Sequence, residues 1–371
     1  MRNAKCGMRN CITQIRIQVY NMANDKKKVK PGYKAAAKKD KNKKQDSGKK
    51  FFKAPPKKNA ENTSRPKKNV KAKLEKQTEA TAGAGNAREV AKVIQWFPGH
   101  MTKALREMEA SIKKVDIVLE LCDARIPESS RNPKVPEIVG QKPYITIMNK
   151  CALADPAKNQ KYKEELSKDG HRVIFTDCMT GQGIDEIVPA IRTALKEKLE
   201  RYEAKGMKKV PRAMIIGVTN CGKSTLINRL YGSKKAKSEN RPGVTRTQQW
   251  VTVEDKVDLL DTPGVLWPKF DEESVGLNLA YTGAIRDEIL DIESIAVLMT
   301  QKLMDTYPNL MFNRYKITAD DVDGKLPHEI FEAIGKKRGL LISGGEVDYL
   351  RTARMLLDEF RDGRIGRITL D

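Results

Sequence analysis

The run Gly217-Val-Thr-Asn-Cys-Gly222-Lys223-Ser224 constrains this chain more than any other stretch. It follows an apolar strand-sized segment, residues 212–217, and opens a helical pattern from Lys223 to Tyr231. A Gly-x4-Gly-Lys-Ser loop in that setting binds the phosphates of a nucleotide. Its glycines let backbone N–H groups turn inward on an anion at the helix N-terminus, Lys223 reaches the terminal phosphates, and the Ser224 hydroxyl ligates Mg2+. Thr219, Asn220, Cys221, Gly222 and Thr225 are expected to complete the phosphate contacts.

The flanking sequence supplies the rest of such a fold. Met101, Leu105, Met108 and Ile112 recur at helical spacing, which predicts an amphipathic helix over 101–115. Strands are expected at 115–122, 144–148, 172–175, 249–253 and 257–260, and helices at 157–168 and 184–202. Strands alternating with helices in this way predict an α/β fold with a doubly wound, mainly parallel sheet over residues 92–272. From 273 to 371 strand signals vanish, and segments 277–285, 289–304, 328–336 and 346–360 show helical periodicity, which predicts a small all-helical domain.

Charge is distributed unevenly. The net charge is +23, yet residues 1–91 carry 26 Lys or Arg against 7 Asp or Glu. That Lys-rich tail has too few large apolar residues to offset the entropy of ordering and is expected to be disordered. Such an arm either attracts a polyanion or serves only to keep the chain soluble. Residues 1–21 hold four basic residues and no acid, which fits either an organellar targeting peptide or sequence upstream of a true start at Met22. The second reading is preferred. Six cysteines without CxxC spacing indicate neither a zinc site nor a disulfide framework, so a reducing, cytoplasmic setting is expected, an organelle matrix being the alternative. No apolar stretch is long enough to span a membrane.

Other motifs surround the phosphate loop. Asp261-Thr-Pro-Gly264 ends an apolar strand, where Asp261 can hold Mg2+ and the Gly264 amide can sense the γ-phosphate. Arg241-Pro-Gly-Val-Thr245 lies in a polar stretch between the two, with Thr245 positioned to close over the metal. The elements that would recognise a base come earlier in the chain. Asn149-Lys150 resembles the start of NKxD, and Thr176-Asp177-Cys178 opens a loop like the one that contacts guanine. Both lie at strand C-termini, so the order is that of a circularly permuted GTPase.

On these residues the chain resembles the ribosome biogenesis GTPase A family (RbgA/YlqF). The likeness extends to Trp96-Phe-Pro-Gly-His-Met101, Asp123-Ala-Arg-Ile-Pro-Glu-Ser-Ser-Arg-Asn-Pro133, Lys337-Arg-Gly-Leu-Leu-Ile-Ser-Gly-Gly345 and Gly363-Arg-Ile-Gly-Arg-Ile368. The resemblance implies a GTPase acting late in large ribosomal subunit assembly, with a C-terminal helical domain that binds rRNA. Nothing suggests an obligate dimer, and a monomer is expected. It also implies His100 as the catalytic residue, since Val265 stands where many GTPases carry Gln; His100 could equally cap or pack. Asn220 suggests K+ beside the β- and γ-phosphates, or simply a residue that tolerates the turn. Lys336, Lys337, Arg338, Arg351, Arg354, Arg361, Arg364 and Arg367 form either an RNA-binding cluster or a solvated face, and the resemblance favours RNA.

One position departs from the pattern. Ala152 stands where the NKxD carboxylate accepts from guanine N1–H and N2–H, a loss of about 2–3 kcal/mol of discrimination. Asp155, three residues on, does not match that spacing. An RNA chaperone or tRNA-processing factor, and a weakly catalytic nucleotide-dependent scaffold, are the alternative functions.

Overall fold

In the computed structural model the strands are β1 (Ile117–Asp123), β2 (Tyr144–Asn149), β3 (Val173–Phe175), β4 (Arg212–Ile216), β5 (Gln249–Val253) and β6 (Val257–Asp261). They form one sheet in the order β3-β2-β1-β4-β6-β5. All neighbours are parallel except β5, which runs antiparallel to β6 at the edge. The structure describes residues 99–371 apart from 169, 233–248, 254–255, 265, 268–269 and 271, with Gly99–Leu105 described in their backbone only. The basic tail, Trp96–Pro98, Thr245 and Val265 lie outside the described residues.

The sheet owes its position to apolar strands buried on both faces. All seven residues of β1 are buried, each of Ile117, Leu119 and Leu121 worth roughly 2 kcal/mol of burial. Glu120 interrupts the run. Burial pushes its carboxyl upward, opposed by Arg131, and its Oε2 accepts from Arg131 (3.3 Å) and from the Thr146 hydroxyl (3.2 Å).

Helices α1 (Gly99–Ile112), α2 (Val135–Val139), α3 (Pro156–Ser167), α4 (Ile187–Ala194), α5 (Lys196–Glu203) and α6 (Lys223–Tyr231) connect the strands. The helix expected over 184–202 is interrupted: Leu195 separates α4 from α5 with its backbone off the helical region. The last hundred residues contain α7 (Glu273–Tyr281), α8 (Ile292–Thr306), α9 (Pro308–Tyr315), α10 (Pro327–Lys337) and α11 (Tyr349–Arg361). Helix α8, buried on most of its circumference, packs against the other four. Helix α9 was not legible in the sequence pattern; it starts afresh at Pro308, whose fixed φ suits the first helical position. After α11 the chain runs back to the loops at the ends of β1 and β2, where the Ile368 N–H donates to Leu153 O and the Leu370 N–H to Arg125 O.

Candidate nucleotide site

Strand order turns the permuted motif order into a spatial row. Along the carboxyl edge of the sheet lie the Thr176 loop after β3, Asn149-Lys150 after β2, Asp123 after β1, the phosphate loop after β4 and Asp261 at the end of β6. Ligands of open α/β sheets bind along this edge.

In the phosphate loop, Asn220 adopts a left-handed backbone with φ 58°. Gly222 has φ 103°, and a β-carbon there would collide with the Asn149 side-chain amide, so no larger residue fits. Lys223 is buried and donates to Gly217 O (3.0 Å) and Val218 O (2.7 Å), which keeps its charge over the loop. Ser224 and Thr225 form the first turn of α6 behind it. Gly264 lies directly on the loop, since a β-carbon there would sit 2.8 Å from Thr219 Cα.

Asp261 is fully buried, and neither carboxylate oxygen has a hydrogen-bond partner among the described residues. Burial pushes its carboxyl upward, countered by the Lys223 charge and the Ser224 hydroxyl. A buried carboxylate with no hydrogen bond of ordinary geometry among the described residues, beside a hydroxyl and a phosphate loop, suits a hard divalent cation such as Mg2+.

The base half is tied to the phosphate half by side chains. Asn149 donates through Nδ2 to Cys221 O (2.8 Å), while its Oδ1 accepts from the Cys178 N–H (3.3 Å), the Cys178 thiol (3.2 Å) and the Thr176 hydroxyl (3.4 Å). Burial pushes the Cys178 thiol up to about 12, so it stays a neutral donor. Asp177 folds inward and accepts from the Met179 and Thr180 N–H groups, both at 2.9 Å, holding its own loop. Lys150 Nζ donates to Asn220 O (2.7 Å) and Asp123 Oδ2 (2.9 Å).

Asp123 and Arg125, which the motif reading did not single out individually, lie beside Lys150. Arg125 is almost fully buried and pairs with both oxygens of Asp123, at 2.9 and 2.7 Å. Burial opposes the Asp123 charge, yet Arg125 and Lys150 outweigh it and hold the carboxyl well below the usual carboxylate range. Asp155, for its part, caps α3 by accepting from the Ala157 and Lys158 N–H groups and also accepts from the Tyr307 hydroxyl. It is committed there and does not replace the carboxylate missing at Ala152.

Both halves meet the helical end. Asn220 Nδ2 donates to Gly283 O (2.7 Å), and the Thr219 hydroxyl donates to Ala284 O. Arg361 donates to Tyr281 O and Ala280 O and pairs with Asp287, while Arg361 O accepts from Arg125. The sequence divides the two parts at 272/273; the structure adds direct contact between the phosphate loop and the segment after α7. Of the eight basic residues in the C-terminal cluster, three turn inward. Arg338 bonds to Glu359, Arg361 binds as above, and Arg367 donates to Cys151 O and Ala154 O. His100 lies in the first turn of α1, and its backbone alone is described.

A family model described as 50S ribosome-binding GTPase matches residues 212–315. The chain is 48% identical over 280 residues to Ribosome biogenesis GTPase A of Priestia megaterium, covering 75% of this chain and 96% of that protein. It is 34% identical over 296 residues to Mitochondrial ribosome-associated GTPase 1 of Mus musculus, covering 75% and 90%. The solved structure of GNP-bound YlqF from T. maritima matches with a TM-score of 0.51 and 27% identity, covering 72% of this chain and 97% of that one. A GDP-bound YlqF structure matches with a TM-score of 0.53 at 26% identity, covering 72% and 98%. A likeness that takes in nearly the whole of such relatives agrees with the permuted row of motifs, and the chain belongs to the ribosome biogenesis GTPase A family, as a GTP hydrolase.

Proposed function

We propose that this GTPase acts on the immature large ribosomal subunit late in assembly, as a cytoplasmic monomer whose hydrolysis is stimulated by the particle. In this reading residues 92–272 bind nucleotide, 273–371 contact rRNA, and the Lys-rich tail adds a salt-sensitive attraction to RNA phosphates. The ribosome-related names of its relatives support a role in ribosome assembly. The observation that carries the reading is the pair of contacts from Thr219 and Asn220 to Ala284 and Gly283. They give a change at the phosphates a direct route to the helical end.

Asp261 and Ser224, with Thr245 closing from its loop, would hold Mg2+, which neutralises charge on the β- and γ-phosphates when bound. Lys223 reaches the same phosphates, and the Gly264 amide senses the terminal one. The Asn220 amide nitrogen is committed to Gly283 O, so a K+ ion at that position would be met by the amide oxygen. His100 would orient the attacking water, because an apolar residue at position 265 cannot.

On the helical end, Arg351 and Arg354 are exposed on α11 without an ion pair among the described residues. Lys336, Lys337 and Arg364 are also exposed, each in a surface pair with a nearby acid. These five form the RNA-facing set, since surface pairs of this kind are weak and readily exchanged for phosphate.

The test is GTP turnover with and without purified large subunits. The expected result is stimulation by roughly a hundredfold or more, with His100→Ala losing the stimulated part. An unchanged rate on adding subunits overturns the proposal and leaves the scaffold reading.

A further inference from the structure

Apart from Arg364, the motif Gly363-Arg-Ile-Gly-Arg-Ile368 has no place in the function proposed above, yet it lies against the turn that follows Asn149. That turn begins at Lys150, a non-glycine residue in the left-handed region with φ 62°, and continues through Cys151–Leu153 as a single tight turn. A left-handed residue of this type persists only where its surroundings hold it.

The surroundings here are residues 363–371. Arg367 donates through Nε to Ala154 O (2.9 Å) and through Nη2 to Cys151 O (3.2 Å). The Ile368 N–H donates to Leu153 O (3.0 Å), so three successive contacts from one strap hold the carbonyls of 151, 153 and 154. The Asp155 N–H donates to the Thr369 hydroxyl (3.1 Å), and the Thr369 N–H donates to the Tyr307 hydroxyl oxygen (3.2 Å), locking the strap to the helical end. Gly363 has φ 72°, and a β-carbon there would sit 2.7 Å from Leu153 Cδ2, so the strap approaches the turn as closely as glycine allows. Ile365, Ile368 and Leu370 are buried beneath it.

We propose that residues 363–371 are part of the base site, with Arg367 as the positioning residue that fixes the Cys151–Ala154 turn against the nucleotide base. Ala152 offers the base no carboxylate, so the placement of this turn carries more of the base recognition. The same strap makes the base contacts answer to the helical end, separately from the phosphate contacts, which reach that end through Gly283 and Ala284. The proposal rests on Asn149 and Lys150 facing the base.

The test compares two ligands on the full chain with Mg2+ present: GDP, and tripolyphosphate, which offers phosphates and no base. In Arg367→Ala the affinity for GDP should fall by about fivefold while that for tripolyphosphate stays within about twofold. Arg367→Lys should recover only part of the loss, because one ammonium does not reproduce the planar fork that spans two carbonyls. GDP binding unchanged in Arg367→Ala overturns the proposal. So does an equal fall for both ligands, which would make Arg367 a residue of general structure. Ala152→Asp in the same titrations separates the underlying assignment: if it leaves GDP binding unchanged, the turn does not face the base at all.

Discussion

The phosphate half of this site draws its loop, Lys223 and Ser224 from one short stretch of chain, whereas the turn of the base half is held by Arg367, more than two hundred residues away. The charges differ in the same way. Asp261, in the phosphate half, is buried with neither oxygen in a hydrogen bond of ordinary geometry among the described residues, and its carboxyl is pushed upward; Asp123, in the base half, is buried beside Arg125 and Lys150 and held down. In the proposed reading one carboxylate serves a cation that comes with the nucleotide. The other already has its cations built in and serves to fix neighbouring side chains.

The comparison breaks most sharply at Lys223. Lys223→Ala removes the buried ammonium that bonds to Gly217 O and Val218 O of the phosphate loop. It should lower GTP turnover by about a hundredfold or more, read in single-turnover assays. Loss of less than about threefold would mean that phosphate binding does not depend on this loop.

Asp123→Asn is next. It leaves the buried Arg125 and the half-buried Lys150 against a neutral partner and should cost about 3 kcal/mol in urea unfolding. Because the native carboxyl lies below its unfolded value, its contribution is full above the ordinary carboxylate pKa and is lost as pH falls through the depressed native one. The variant should therefore show a flatter acid side of its stability profile than the parent.

Asp261→Asn sharpens the contrast by acting in the opposite direction. Replacing a buried carboxylate whose charged form is disfavoured by burial should stabilise the nucleotide-free chain by about 1–2 kcal/mol. The same change should remove most of the effect of Mg2+ on GTP affinity, read by titration with and without the metal. A destabilised nucleotide-free variant would show that Asp261 is satisfied within the protein.

How far each half could be read from sequence follows from the same difference. Gly217–Ser224 is contiguous, and a strand before it and a helix after it were legible from apolar periodicity, as were β5 and α6 to the residue. The base half was legible at Asn149-Lys150 and Thr176–Cys178, because each ends an apolar strand. What holds them was not. Nothing in local spacing ties Arg367 to Cys151, Tyr307 to Asp155 or Arg125 to Arg361, since those contacts join segments that meet only after the helices have packed. The cluster of eight basic residues shows the limit of composition: Arg338, Arg361 and Arg367 look like their neighbours in sequence and are internal braces in the fold. The signal that was available was the pair of glycines in Gly363-Arg-Ile-Gly366, which marked a close approach without saying to what.

The most direct test of this account is a binding competition of GTP, ATP and XTP against the chain and its Ala152→Asp variant. With the Cys151–Ala154 turn at the base, the parent prefers GTP by a modest margin. A carboxylate at 152 widens the preference over ATP and XTP by about tenfold or more. Identical ratios in the two proteins would contradict it, placing the base away from this turn and removing the reason for holding the turn from the far end of the chain.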